Sequence, residues 1–394
     1  MGCCANLHSS RFLRLHAAAH HAGRRQVHCD AEHPWVHGLI ALPRFHRLFP
    51  RGSRHGIGAF FGTITIVQHS PYMHRCLELA QRGRGSVGIN PMVGAVLVRD
   101  GKIIAEAWHR EFGADHAERE LIKKFDQDIR PTDVLYVNME PCCHHGKTPP
   151  CTEVILHRGI RRVVFGMVDP NPQVAGQGIS VLRAAGVEVI GPVERARCEW
   201  FNRGFVSLMR RGRPWITLKR AQTLGGRIAR DDGSPLKITS QTQDAWSHRW
   251  LRSQHDVLMV GVETIIRDDP LLTVRNPNTK SDQLSPLRIV LDPKMRIQMN
   301  ARILSRELAP GTVIIAGGGS LKKKEGIRKR GARVWECPLQ GGLFQWRALW
   351  KLLTTPQENF HGIASILTEG GAKTWQAFQA SGSVDAEIVL VGSS

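Results

Sequence analysis

His116-Ala117-Glu118 is answered further along the chain by Glu140-Pro141-Cys142 and Pro149-Pro150-Cys151. The residues around these three stretches predict the fold. Before them, Met73, Cys76, Leu77 and Ala80 recur at helical spacing, Val93 to Val98 is an apolar run of strand length, and Asp100-Gly101 is a hairpin turn leading to a returning strand at Ile103 to Trp108. A helix follows His116, a strand covers Val134 to Val137, and Cys151 opens another helix that ends at Gly159. Strand, helix and strand then repeat at Arg162 to Phe165, Gly178 to Ala185 and Val187 to Ile190. Strands alternating with helices imply a layered α/β domain with a mostly open sheet. His116 and the cysteines then fall at the N-termini of two helices on one sheet.

One imidazole and two thiols can fill three of the four tetrahedral positions around a zinc ion, leaving the fourth for water. Glu118 is too close to His116 to be an obvious fourth ligand, but close enough to move protons. Zinc lowers the pKa of its bound water to about 7, and a neighbouring carboxylate can pass that water's proton to a leaving amine. Such a set suits hydrolytic deamination of an amino-substituted ring. The usual spacing for this chemistry is His-x-Glu followed by Pro-Cys-x-x-Cys, whereas here Cys143 to Pro150 stand between the two thiols. Cys143 is a poor substitute ligand because adjacent side chains diverge, while His144 and His145 are rivals on chemistry alone. A plainer reading makes Asp115-x-x-Glu118 a capping box opening the helical run to Phe125, and the two readings are compatible.

The 394 residues suit two or three domains. No apolar run approaches the roughly 20 residues that span a bilayer. The nine cysteines are scattered rather than laid out as a framework, which favours a reducing cytoplasm with thiols free for metal. Residues 1–69 differ in kind: they contain almost no acids, no lysine, many arginines and more than half of the 19 histidines. They are expected to be a disordered basic extension. The net charge of +20 raises nucleic-acid binding as a secondary possibility, but no arginine-rich run is interleaved with aromatics. A phosphorylated small molecule or dinucleotide would also want cationic pockets. The oligomeric state is left open, a homo-oligomer included.

Glu140-Pro141-Cys142-Cys143-His144-His145-Gly146-Lys147-Thr148-Pro149-Pro150-Cys151, Asp169-Pro170-Asn171-Pro172 and Asn90-Pro91-Met92-Val93-Gly94 resemble elements of the bifunctional deaminase/reductase family of riboflavin biosynthesis. The resemblance runs from about Ser70 to the C-terminus. It implies a cytidine-deaminase-like zinc domain over 70–213 and a dihydrofolate-reductase-like α/β domain over 214–394. It also implies that His116, Cys142 and Cys151 hold Zn2+, that Glu118 is the proton shuttle and that Asn90 faces the pyrimidine.

In the second half, Lys219-Arg220-Ala221-Gln222-Thr223-Leu224-Gly225-Gly226-Arg227 is similar to a family stretch reading Lys-x-Ala-x-Ser-Leu-Asp-Gly-Arg. Gly225 therefore replaces an acid, and Lys237 stands where the family has a tryptophan against the cofactor. With the further matches at Leu251-Arg252, Gly261-Val262-Glu263-Thr264, Asp268 to Arg275 and Thr368-Glu369-Gly370-Gly371, the resemblance implies Ala221, Lys237, Thr264, Asp268 and Gly371 as NADPH contacts. Arg252, Leu272, Arg275 and Glu369 are carried over as substrate contacts. The family continues beyond Ile388-Val389-Leu390-Val391, so the reductase sheet is expected to be incomplete, with its final strand unpaired.

The expected activity is deamination of a diaminopyrimidine ribosyl phosphate, followed by NADPH reduction of its ribosyl group to ribityl, the second step being the weaker. The competing readings are a polynucleotide deaminase with the same zinc chemistry and a non-catalytic NADPH- or RNA-binding protein with a structural zinc.

Overall fold

The computed structural model describes residues 25–28 and 58–392, apart from 146–148, 173, 229, 231–235 and 276–284. Most of the basic N-terminal extension therefore lies outside the described residues, as do Gly146, Lys147 and Thr148 of the motif between the two cysteines. The chain forms two compact units. In chain order the elements begin with strand β1 (Arg25–His28) and helix α1 (Gly58–Ala80).

The first unit draws on Leu42–Trp215 and Leu349–Ser365. After α1 it contains β2 (Gly94–Arg99), β3 (Lys102–Trp108), α2 (Ala117–Lys124), β4 (Val134–Val137), α3 (Cys151–His157), β5 (Arg162–Phe165), α4 (Gln177–Ala184), β6 (Glu188–Ile190), α5 (Arg195–Phe201) and α6 (Arg203–Arg211). The sheet order is β3-β2-β4-β5-β6. β2 runs antiparallel to both neighbours, and β4, β5 and β6 are parallel. The β2–β3 turn takes left-handed angles at Asp100 (φ 50°) and Gly101 (φ 77°), as the Asp-Gly pair predicts. Met73, Cys76, Leu77 and Ala80 are buried, and they lie on one face of α1 against the sheet. Gly94 permits this approach, because a Cβ there would stand 2.1 Å from the Cys76 carbonyl oxygen. Leu349–Ser365 belongs with this unit through bonds such as Ile89 N–H to the His361 carbonyl (3.1 Å) and Trp215 N–H to that of Ala364 (2.8 Å).

The second unit continues with β7 (Trp215–Thr223), α7 (Gln241–Trp246), β8 (Val257–Gly261), α8 (Val262–Asp268), β9 (Leu287–Leu291), β10 (Thr312–Ala316), α9 (Leu321–Lys329) and β11 (Arg333–Glu336). It then carries the short β12 (Leu339–Gln340) and β13 (Leu343–Phe344) and, after α10 (Trp346–Thr354), most of which belongs to the first unit, β14 (Ser365–Thr368), α11 (Ala372–Ala380) and β15 (Ala386–Gly392). The large sheet has the order β1-β15-β7-β14-β8-β9-β10-β11. Val257, Leu258, Met259 and Val260 in β8, and Val313, Ile314, Ile315 and Ala316 in β10, are fully buried. Such continuous apolar strands are what a parallel sheet covered on both faces requires.

The expectation of an unpaired final strand is corrected. β15 pairs in parallel with β7 from Ala386 to Gly392, and β1 lies in parallel along its other side. Four residues of the N-terminal extension thus supply a strand.

Candidate active site

The capping-box expectation fails in an instructive way. The N-cap of α2 is His116 rather than Asp115, and no side chain caps it. Asp115 instead pairs with Arg119 (3.4 Å) and Lys123 (3.6 Å). The turn therefore points the His116 imidazole inward, and Glu118 follows it into the interior at 3 % exposure.

The other half of the site comes from the start of α3, where Cys151 is the first helical residue. The Cys151 N–H donates to the Cys142 sulfur (3.3 Å), and the Thr152 N–H donates to the Cys142 carbonyl (3.1 Å). These bonds draw Cys142 onto the helix end. His116 Nδ1 then lies 3.5 Å from Cys142 Sγ and 3.4 Å from Cys151 Sγ. Tetrahedral zinc with Zn–S near 2.3 Å and Zn–N near 2.0 Å requires N–S edges of about 3.5 Å. The donor set therefore fits that ion in both chemistry and spacing. Among the described residues this is the one group of three metal-capable side chains with all ligand atoms within 4.8 Å of one another.

The rival ligands face elsewhere. Cys143 Sγ approaches Gln177 Oε1 at 3.9 Å, His144 is exposed, and His145 pairs with Glu153 at 3.7 Å.

The electrostatics of the pocket suit a cation. The Cys151 thiol beside Cys142 pulls the Cys142 thiol well below its usual range, His116 adding to the effect although burial opposes it. Cys142 in turn raises the His116 imidazole, against burial. Burial pushes the Glu118 carboxyl up to about 7, with His116 resisting.

Asn90 stands beside this group. Its Nδ2 is 3.3 Å from Nε2 of His109, whose ring packs edge-on to His116 with centroids 5.5 Å apart. His109 is 3 % exposed, and its Nδ1 donates to the Asp115 carbonyl (3.0 Å). Burial lowers its pKa. The loop carrying Asn90 is fixed by two buried asparagines. Asn138 accepts from Gly94 N–H (2.8 Å) and donates to the Met92 carbonyl (3.0 Å), while Asn202 brackets Met92 N–H (2.9 Å) and carbonyl (3.0 Å). Sequence reasoning passed over His109, Asn138 and Asn202. The signal available for His109 was slight: a histidine just past a strand, on the path to His116.

In the second unit, Arg252 and Glu369 come together as a half-buried pair with Nε 3.0 and 3.1 Å and Nη2 2.5 Å from the carboxylate oxygens. Burial opposes ionisation of Glu369, but Arg252 and Lys219 outweigh it and hold the carboxyl below its ordinary value. His248, unremarked in the sequence, joins the expected substrate residues: its Nδ1 donates to the Thr273 carbonyl (3.0 Å), and its Nε2 accepts from Arg275 (3.1 Å). Burial, then Arg252 and Arg275, push it down to about 4. Leu272 is buried with φ 49°.

Of the expected cofactor residues, Gly371 N–H donates to Thr264 Oγ1 (3.2 Å). Asp268 ends α8 exposed, and Ala221 lies within β7 opposite Leu390 of β15. Lys237 is exposed and paired with Asp244, which also accepts from Thr239 (2.6 Å).

Comparison with known proteins assigns both halves. Residues 66–167 match the family of the cytidine and deoxycytidylate deaminase zinc-binding region, and residues 214–393 match the RibD C-terminal domain family. The riboflavin biosynthesis protein RibD of Actinobacillus pleuropneumoniae is 37 % identical over 301 residues, 76 % of this chain and 77 % of that protein. The Aquifex aeolicus RibD is 37 % identical over 320 residues, 81 % and 85 % of the two chains. Among solved structures, Acinetobacter baumannii RibD superposes with a TM-score of 0.70 at 30 % identity, covering 84 % of this chain and 88 % of that one. The Thermotoga maritima diaminohydroxyphosphoribosylaminopyrimidine deaminase/5-amino-6-(5-phosphoribosylamino)uracil reductase gives 0.66 at 33 % identity, covering 80 % and 85 %.

Proposed function

Since the chain belongs to the RibD family of riboflavin biosynthesis proteins, we propose how its own residues divide the family's two reactions. The protein is a bifunctional deaminase/reductase with a zinc-dependent first half and an NADPH-dependent second half. Its substrate is a small phosphorylated pyrimidine. Among the described residues no helix is long and apolar enough to cross a membrane, and a cytoplasmic location fits the free thiols of the six described cysteines.

The observation that carries the site assignment is the triangle of His116 Nδ1, Cys142 Sγ and Cys151 Sγ with Glu118 buried beside it. His116, Cys142 and Cys151 hold the zinc. When bound, that ion supplies a Lewis acid that brings the pKa of water to about 7. Glu118 carries one proton of the attacking water to the ring nitrogen and the other to the departing amine, so that ring N=C–NH2 and water become ring HN–C=O and ammonia. The glutamate suits this role because it sits within the water-poor interior without being needed as a ligand. Asn90, braced by His109 and by the asparagine-held loop, orients the pyrimidine.

In the second half, Arg252, Arg275, Leu272 and Glu369 receive the ribosyl phosphate. Thr264, Gly371, Asp268, Ala221 and Lys237 flank NADPH. Gly225 and Lys237 replace an acid and an aromatic, which weakens this site relative to the first. Zinc analysis together with ammonia release from the diaminopyrimidine ribosyl phosphate tests the assignment. Wild type is expected to hold one zinc and release ammonia, and Cys151→Ser to lose both. Full zinc and full turnover in Cys151→Ser would overturn it.

A further inference from the structure

Glu140 is only 4 % exposed, and its carboxylate accepts four backbone N–H groups. Oε2 receives those of Asp169 (3.1 Å) and Gly176 (2.9 Å), and Oε1 those of Gly178 (2.9 Å) and Ile179 (3.3 Å). All four donors lie in the segment that leads into and begins α4, whereas Glu140 follows β4. Burying a carboxylate is costly unless its oxygens are hydrogen-bonded, and bonds to an ionised acceptor are stronger than neutral ones. The side chain is thus a staple between two remote stretches of chain.

The main chain around Glu140 is clamped as well. Its N–H donates to the Met167 carbonyl at 2.8 Å. A Cβ on Gly178 would lie 1.9 Å from the Pro141 carbonyl oxygen, so the start of α4 is seated directly against Pro141. Proline fixes its own φ, and the next residue is Cys142. We infer that Glu140 is a positioning residue for the metal centre: its carboxylate locks Pro141-Cys142 against the start of α4 and so places the Cys142 sulfur opposite His116 and Cys151. This inference rests on the zinc reading of the site.

The test uses full-length wild type, Glu140→Gln and Glu140→Asp. Zinc affinity is measured by competition with a chromophoric chelator, and the absorption spectrum is recorded after cobalt(II) replaces zinc. In Glu140→Gln an amide –NH2 faces backbone donors, so two of the four bonds become donor against donor. Outer-shell losses of this kind weaken metal affinity by about 10–100-fold. That loss is expected here, with a weakened thiolate-to-cobalt band. Glu140→Asp keeps the charge and is expected to recover part of both. A folded Glu140→Gln that binds zinc within about twofold of wild type, with an unchanged cobalt spectrum, would overturn the inference. Failure of both variants to fold would also overturn it, by making the carboxylate a requirement of the whole unit. A wild type that binds no zinc would instead sink the reading of the site itself.

Discussion

Glu118 and His248 are both buried titratable side chains, and each leads to a prediction of a different kind. For Glu118 the expectation is kinetic: Glu118→Gln keeps its zinc but loses about 10²–10⁴-fold in deamination rate, the usual contribution of a positioned acid/base. Metal analysis beside ammonia release checks it, and joint loss of metal and activity would make the residue structural. For His248 the expectation concerns stability. Its folded pKa is depressed to about 4 from an unfolded value near 6.5, so between those limits the unfolded chain binds more protons. The stability it contributes is present above about pH 6.5 and is lost as pH falls towards 4. Denaturant titrations of the second unit should show that loss, and His248→Gln should flatten it. That His116, Cys142 and Cys151 come together with Glu118 buried nearby was legible in the sequence, because metal chemistry restricts residue type and spacing. His109, Asn138, Asn202 and His248 were not, because single polar residues acquire meaning only from what the fold sets beside them. The capping box misled for a related reason: the Asp-x-x-Glu pattern carries no record of whether the glutamate points outward.

Elements were easier to read than their partners. The amphipathic spacing of α1, the apolar run of β2 and the Asp-Gly turn before β3 each express a local rule, and each formed as expected. Close approach between elements is a different matter, since it depends on atoms remote in sequence. Gly94 is the clearest case: a Cβ would stand 2.1 Å from the Cys76 carbonyl oxygen and 2.8 Å from the Ala80 nitrogen, both of them backbone atoms that cannot rotate away. Gly94→Ala should therefore push α1 off β2 and destabilise the first unit by about 1–3 kcal/mol, the range for overpacking a tight interior. Calorimetry of the full chain would check this, and an unchanged first-unit transition would count against the packing described. Long-range pairing was the least legible feature. Nothing in Arg25-Gln26-Val27-His28 announces a strand, yet its backbone lies along β15, because the edge of a parallel sheet accepts any extended segment able to present amides and carbonyls in register.

For the molecule as a whole, the two units make separable predictions. Removing residues 1–57 takes away β1 and leaves β15 as a sheet edge. Deaminase turnover should not change, while melting of the second unit should fall by a few degrees. A drop confined to the first unit would contradict this. The division of labour between the halves was legible as a whole because long motifs in the first half and shorter ones in the second each point to one family. In the reading proposed here, the balance between the two activities turns on Gly225 and Lys237, which replace an acid and an aromatic of the family pattern. Lys237 spends its charge on Asp244 rather than presenting an aromatic face, and Gly225 supplies no carboxylate. The central claim is a zinc-dependent deamination feeding a slower NADPH-dependent reduction within one chain. The most direct measurement follows both channels at once on the diaminopyrimidine ribosyl phosphate, ammonia in one and nicotinamide absorbance in the other, with the zinc-loaded enzyme. The account predicts ammonia release that does not need NADPH, with NADPH oxidation appearing only after deamination and lagging behind it. NADPH oxidation without ammonia release, or no ammonia from fully zinc-loaded protein, would contradict it.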